Sequence, residues 1–113
     1  METSVSHPLE GFMTFEAVFE MVRQGWVFNK MNYPMIDGPD DQRALSHASM
    51  HLSKSTGKVS AAIEPIDHGL KMKVADLRDQ LGYSIVNTLK IADLAGITSD
   101  ELLEVIRRWR ESK

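Results

Sequence analysis

An all-α fold built from four helices is what this sequence predicts, on three observations. Apolar residues recur at three- and four-residue intervals in separate stretches. Capping residues and turn formers punctuate those stretches. Strict alternation never persists, and no paired apolar runs flank an Asn-Gly turn, so the text carries no β signal.

The elements follow in order. Residues 1–13 read as a short tail containing Pro8 and Gly11, loosely ordered apart from Phe12. The first helix has the stripe Phe15, Phe19, Val22, Trp26, with Thr14 as its N-cap. Residues 29–40 hold prolines, a glycine and asparagines and read as a loop, unusually apolar through Met31, Tyr33, Met35 and Ile36. Asp40 or Asp41 starts the second helix, whose stripe is Leu45, Ala48, Leu52, Val59, Ala62. Ser55 completes that spacing and is therefore placed inward in an otherwise apolar row. Gly57, inside the helix, costs up to about 1 kcal/mol against alanine and calls for a packing or functional reason. Pro65 ends the second helix, and Asp67-His68-Gly69 makes the turn. The third helix is expected from about Leu70 to Ala95, with the stripe Val74, Leu77, Leu81, Ile85, Leu89, Ala92 and Gly96 at C′. Ile97-Thr98-Ser99-Asp100-Glu101 is a helix start: Thr98 caps, Glu101 reciprocates, and Ile97 with Leu102 forms a staple. The last helix ends in Arg107, Arg108, Arg110 and Lys113, cations at the negative end of its dipole.

Bulk composition bounds the function classes. A chain of 113 residues makes one domain, here residues 14–113, and buries about two-thirds of its unfolded surface. Apolar content of 42% and charged content of 26% are those of a soluble globule. A net charge of -3 argues against bulk attraction to nucleic acid or to an anionic membrane. With no cysteine there is neither a disulfide framework nor a thiolate zinc site. Glu2 and Glu10 and the lack of a long apolar run speak against a secretory signal, and no segment reaches the roughly 20 apolar residues of a membrane span. A cytoplasmic location is expected by elimination.

The chemistry-bearing residues lie on the second and third helices. Asp76 and Asp79 are three apart, so both carboxylates project from one side of a helix, as ligands for Mg²⁺ do. The resembling text is His51-Leu52-Ser53-Lys54-Ser55-Thr56-Gly57-Lys58 with Ala61-Ala62-Ile63, then Ala75-Asp76-Leu77-Arg78-Asp79-Gln80-Leu81, then Ile91-Ala92-Asp93-Leu94-Ala95-Gly96-Ile97. It resembles the MazG-type, all-α nucleoside triphosphate pyrophosphohydrolase family, over roughly residues 14–110. In that family the first block reads His-Leu-x-Lys-Glu-x-Gly-Glu and the second Glu-Leu-x-Asp-Val-Leu. The resemblance implies a four-helix MazG-like bundle completed by dimerisation, as a homodimer or higher homo-oligomer. It implies Mg²⁺ held by acidic pairs on two helices, and cleavage of the α–β phosphoanhydride of a (d)NTP. Carried over position by position, the second acidic pair is Asp76 and Asp79. The first falls on Ser55 and Lys58, so both of its acids are lost, while Lys54 and Gly57 match.

That loss changes the expected chemistry. Two aspartates alone hold at most one weakly bound Mg²⁺, and the Lys58 ammonium repels a metal while it attracts a phosphate. Hydrolysis is therefore expected to be absent or badly impaired unless Glu64, Asp67 or Asp93 substitutes, and no catalytic residue is assigned. The implied nucleotide or phosphate contacts are Lys54, Ser55 and Lys58, with Tyr83 and Asn87 as polar lining. Trp26 is a candidate for stacking on a base, with core packing as the plainer role of an indole in a regular stripe. The plainer reading of Lys58, Asp76 and Asp79 is a solvated salt bridge between helices, worth at most about 1 kcal/mol. His47 and His51 share a helix face at a spacing that suits two metal ligands, but no third ligand is placed beside them. A non-enzymatic dimeric helical bundle, without nucleotide binding, is the competing function; the apolar loop and the surplus apolar positions around Val86 suit an interface. Ile91 to Ile106 superficially matches helix-turn-helix text, yet its second helix opens with Asp100, Glu101 and Glu104, which repel phosphates.

Overall fold

A computed structural model describes residues 13–113; the tail expected before Met13 lies outside the described residues. The fold is all-α: α1 (Phe15–Gly25), α2 (Gln42–Ile63), α3 (Val74–Leu94) and α4 (Ser99–Glu111), with no strand among the described residues. None of these helices is long and apolar enough to cross a membrane.

Local signals set the helix ends. The Thr14 hydroxyl accepts the Ala17 N–H at 3.0 Å and starts α1. Asp41 starts α2: one carboxylate oxygen accepts the Arg43 N–H at 2.8 Å, the other the Asp37 N–H at 2.9 Å. Arg43 also binds this carboxylate through its side chain, and the two contacts hold it far below the usual aspartate range. At the end of α3, Gly96 adopts φ 76°. There its N–H reaches the Asp93 carbonyl at 3.1 Å and the Ile97 N–H reaches Ala92 at 2.8 Å, a Schellman closure that a Cβ would strain. The capping box of α4 is complete in both directions, Thr98 with Glu101.

The connection between α2 and α3 departs from expectation. Residues Glu64–His68 form a 3₁₀ turn with Pro65 at its start, and Gly69 turns the chain at φ 73°. Helix α3 then begins at Val74 rather than Leu70, because the Lys73 N–H is tied to the Ala62 carbonyl at 2.9 Å and so is not free to start the helix earlier.

Helices α2 and α3 pack along their lengths, α1 lies on α3, and α4 packs on α1. Small buried residues on α2, namely Ala44, Ala48, Ser55 and Ala62, let α3 approach closely. One apolar cluster joins Phe19 and Val22 of α1 to Leu89 and Ala92 of α3. Each large side chain of this kind contributes about 1.5–3 kcal/mol by leaving water. A second cluster explains the apolar loop: Phe28 and Ile36 are buried against Ala44, with Trp26, Tyr33 and Leu94 beside them. Met31 and Met35 of the same loop are exposed.

The stripe expected on α3 is only half buried. Leu89 and Ala92 sit under α1, but Leu81 and Ile85 are 48% and 56% exposed. They line an apolar groove of about 810 Å³ with Phe15 and Leu52 and with Leu102, Val105 and Ile106 of α4.

Candidate functional site

Two facing rows of residues form the site. On α2, His51, Ser55 and Lys58 follow each other at spacings of four and three, with Lys54 beside them. On α3, Asp76, Gln80, Tyr83 and Asn87 keep spacings of four, three and four, so they too share a face. The helices run antiparallel, which sets Asn87 against His51 and Ser55 and sets Asp76 near Lys58. The rows are clamped at one end. The Asn87 amide donates to the Ser55 hydroxyl at 2.9 Å and to the His51 carbonyl at 3.1 Å, and both Ser55 and Asn87 are buried. Losing one partner of such a buried pair costs more than the bond itself is worth, since the other is left unsatisfied.

Between the rows runs a groove of two connected hollows that share Lys58 and Gln80. The first, about 300 Å³, is lined by His51, Lys54, Ser55, Lys58, Gln80, Tyr83 and Asn87, with Val86, expected at an apolar interface, among them. The second, about 200 Å³, is lined by Lys58, Lys73, Asp76 and Gln80 with Ala61 and Ala62 at its base. Five of the expected phosphate contacts, Lys54, Ser55, Lys58, Tyr83 and Asn87, thus meet in one hollow. Lys73 and Gln80 went unread in the sequence; Gln80, four after Asp76 and three before Tyr83, was visible from spacing.

The electrostatics of this groove run against the chain's net charge of -3. Lys54, Lys58 and Lys73 face it with Asp76 as the one carboxylate. No ion pair within 4.0 Å engages these lysines among the described residues, so the salt bridge expected from Lys58 to Asp76 or Asp79 does not form. Asp79 lies outside both hollows and contacts Arg78 at 3.3 Å. Among the described residues no three His, Asp or Glu side chains gather to hold a metal. Mg²⁺ demands near-octahedral oxygen ligands. A lone carboxylate flanked by two ammonium groups suits it poorly.

Trp26 is not brought into the groove. Its indole N–H donates to the Tyr33 hydroxyl at 2.7 Å, and its ring meets Phe28 and, edge-on at 5.5 Å, His51. Trp26 instead borders a separate cavity of about 440 Å³ with Arg23, Gln24, Lys90 and Asp93. Lys90, unread in the sequence, is 3% exposed and donates to the Asp93 carboxylate at 2.8 Å and the Arg23 carbonyl at 3.2 Å. Asp93 is therefore committed to tying α3 to the end of α1 and is no substitute acid for the groove.

His47 and His51 come together rather than standing apart, with their Nε2 atoms 3.0 Å apart. Partial burial, then His47 and Lys54 nearby, push the His51 ring below the usual histidine range.

Comparison of the chain with protein-family models, with curated proteins and with solved structures returns no match.

Proposed function

We propose that this chain is a MazG-like helical bundle that holds the phosphate groups of a nucleotide in the α2–α3 groove without hydrolysing them. The supporting observation is the charge of that groove, three lysines to one aspartate, in a chain that is acidic overall. Lysine is a strongly hydrated point charge on a flexible stem, suited to a phosphate and unsuited to a metal. Tyr83, 57% exposed at the rim, offers a ring face to a base, in the role first assigned to Trp26. Cleaving a phosphoanhydride requires an activated water, which relatives obtain from metal held between acidic pairs. Here Lys58 and Ser55 stand where that chemistry needs acids, and Ser55 is already engaged by Asn87.

In this reading two copies complete the bundle. Leu81, Ile85, Val105 and Ile106 are about half exposed along one apolar groove. The radius of gyration of 16.9 Å exceeds the roughly 13 Å of a compact chain of this length. A second copy, carrying the same apolar row, covers the face symmetrically.

Calorimetric titration with a panel of dNTPs, with and without Mg²⁺, tests the ligand, and a pyrophosphate-release assay tests the chemistry. Binding without Mg²⁺ and without release is the expected result. Absence of heat with every nucleotide removes the ligand. It leaves the second reading, a dimeric interaction bundle without nucleotide, which the same apolar groove favours.

A further inference from the structure

We propose that His47 and His51 form a two-nitrogen site for a late first-row transition ion, Cu²⁺ above Ni²⁺ and Zn²⁺. The two residues lie one turn apart on α2, and their Nε2 atoms approach to 3.0 Å. Two metal–nitrogen bonds of about 2.1 Å at a right angle place the nitrogens about 3.0 Å apart. Rings aimed straight along a linear N–H···N bond would put their centroids about 5.3 Å apart. The observed separation is 4.7 Å with the planes at 57°, so the rings are tilted off that line, and it lies near the roughly 4.6 Å that a right-angled chelate gives.

The surroundings hold them there. Trp26 stands edge-on to His51 at 5.5 Å, and Phe28 and Tyr33 stand against His47 at 5.9 and 5.2 Å. Ring freedom is thus already lost before an ion arrives, which lowers the ordering cost of binding. Neutral imidazoles select Cu²⁺, Ni²⁺ and Zn²⁺ over Mg²⁺ and Ca²⁺, and Cu²⁺ stands highest in the affinity order. His51 lines the open groove, so solvent reaches the pair and water fills the remaining ligand positions. On binding, the ring that donates in the free pair moves its proton to Nδ1. No net proton is released and no electron is transferred.

The site shares His51 with the groove but needs no nucleotide, and it is tested with Cu²⁺ alone on the full chain. Expected are one tight equivalent, an electron paramagnetic resonance spectrum showing two coupled nitrogens, and quenching of Trp26. His47→Gln and His51→Gln should each weaken binding by at least about tenfold, since even partners of ligands carry 10–100-fold effects. His68→Gln, in the 3₁₀ turn, should leave it unchanged. Failure of the unmodified chain to take up Cu²⁺ at micromolar concentration overturns the site. So does a spectrum lacking two nitrogens, a readout that needs no variant to fold, or a folded His47→Gln chain that binds as before.

Discussion

The two sides of α3 have exchanged the chemistry that helix packing leads one to expect. Toward the groove with α2 it presents Gln80 and Asn87, and an amide is bonded to a hydroxyl across the seam. On its other flank it presents Leu81 and Ile85, open to solvent in a groove shared with Leu52 of α2 and Val105 and Ile106 of α4. A polar seam that is hydrogen-bonded stays buried at little cost, whereas an apolar row left in water forfeits about 25 cal/mol for each Å² uncovered. The inner face of the helix is thus suited to a ligand and its outer face to a partner.

The largest effect expected is on the outer face. Ile85→Glu should turn an oligomer into a monomer in sedimentation velocity while nucleotide affinity holds. A monomeric unmodified chain would mean that nothing of its own covers the row. On the inner face, Asn87→Ala orphans the Ser55 hydroxyl and should cost about 1–3 kcal/mol in urea unfolding. Lys58→Ala, with no salt bridge to lose, should leave stability alone. It should weaken nucleotide binding about tenfold, the scale of a lost charge-assisted hydrogen bond. Added salt should erode what remains, because the groove is open to solvent.

Acid sharpens the comparison further, since His51 lies on the inner side. Its folded ring titrates below the usual value of 6.5, so the unfolded chain takes up the proton first. Stability should be full above about pH 6.5, fall as pH drops through that value, and level off below the folded-state value. His51→Gln should flatten the acid side of a midpoint-versus-pH curve. The smallest effect belongs to Gly57, on the exposed side of α2 with nothing within 4 Å of a Cβ placed there. Gly57→Ala should gain up to about 1 kcal/mol in thermal unfolding. A loss of nucleotide affinity in that variant would reveal that the glycine leaves room for ligand.

Helix existence and helix ends were legible because their causes are local. Thr14, Asp41, the Thr98–Glu101 box and Gly96 each act on backbone groups a few residues away, and each behaves as its position implies. The inward position of Ser55 followed from spacing alone. What spacing could not show was which part of an apolar row finds cover: α1 reaches Leu89 and Ala92 but not Leu81 or Ile85. The start of α3 depended on a bond from Lys73 to Ala62, eleven residues back, and no local rule contains it. Trp26 reads as a stripe residue, yet its place was decided by Tyr33 in the following loop. The convergence of the two histidines likewise depended on ring directions imposed by Trp26, Phe28 and Tyr33.

The measurement closest to the central claim is calorimetry of dNTP binding to the unmodified chain and to Lys58→Glu in one low-salt buffer, with and without Mg²⁺. The substitution puts an acid beside Asp76 without disturbing the Ser55–Asn87 contact. The account predicts metal-free binding to the unmodified chain, abolished by the substitution and partly recovered when Mg²⁺ is added. Equal affinity of both chains, or binding and pyrophosphate release by the unmodified chain only when Mg²⁺ is present, would contradict it.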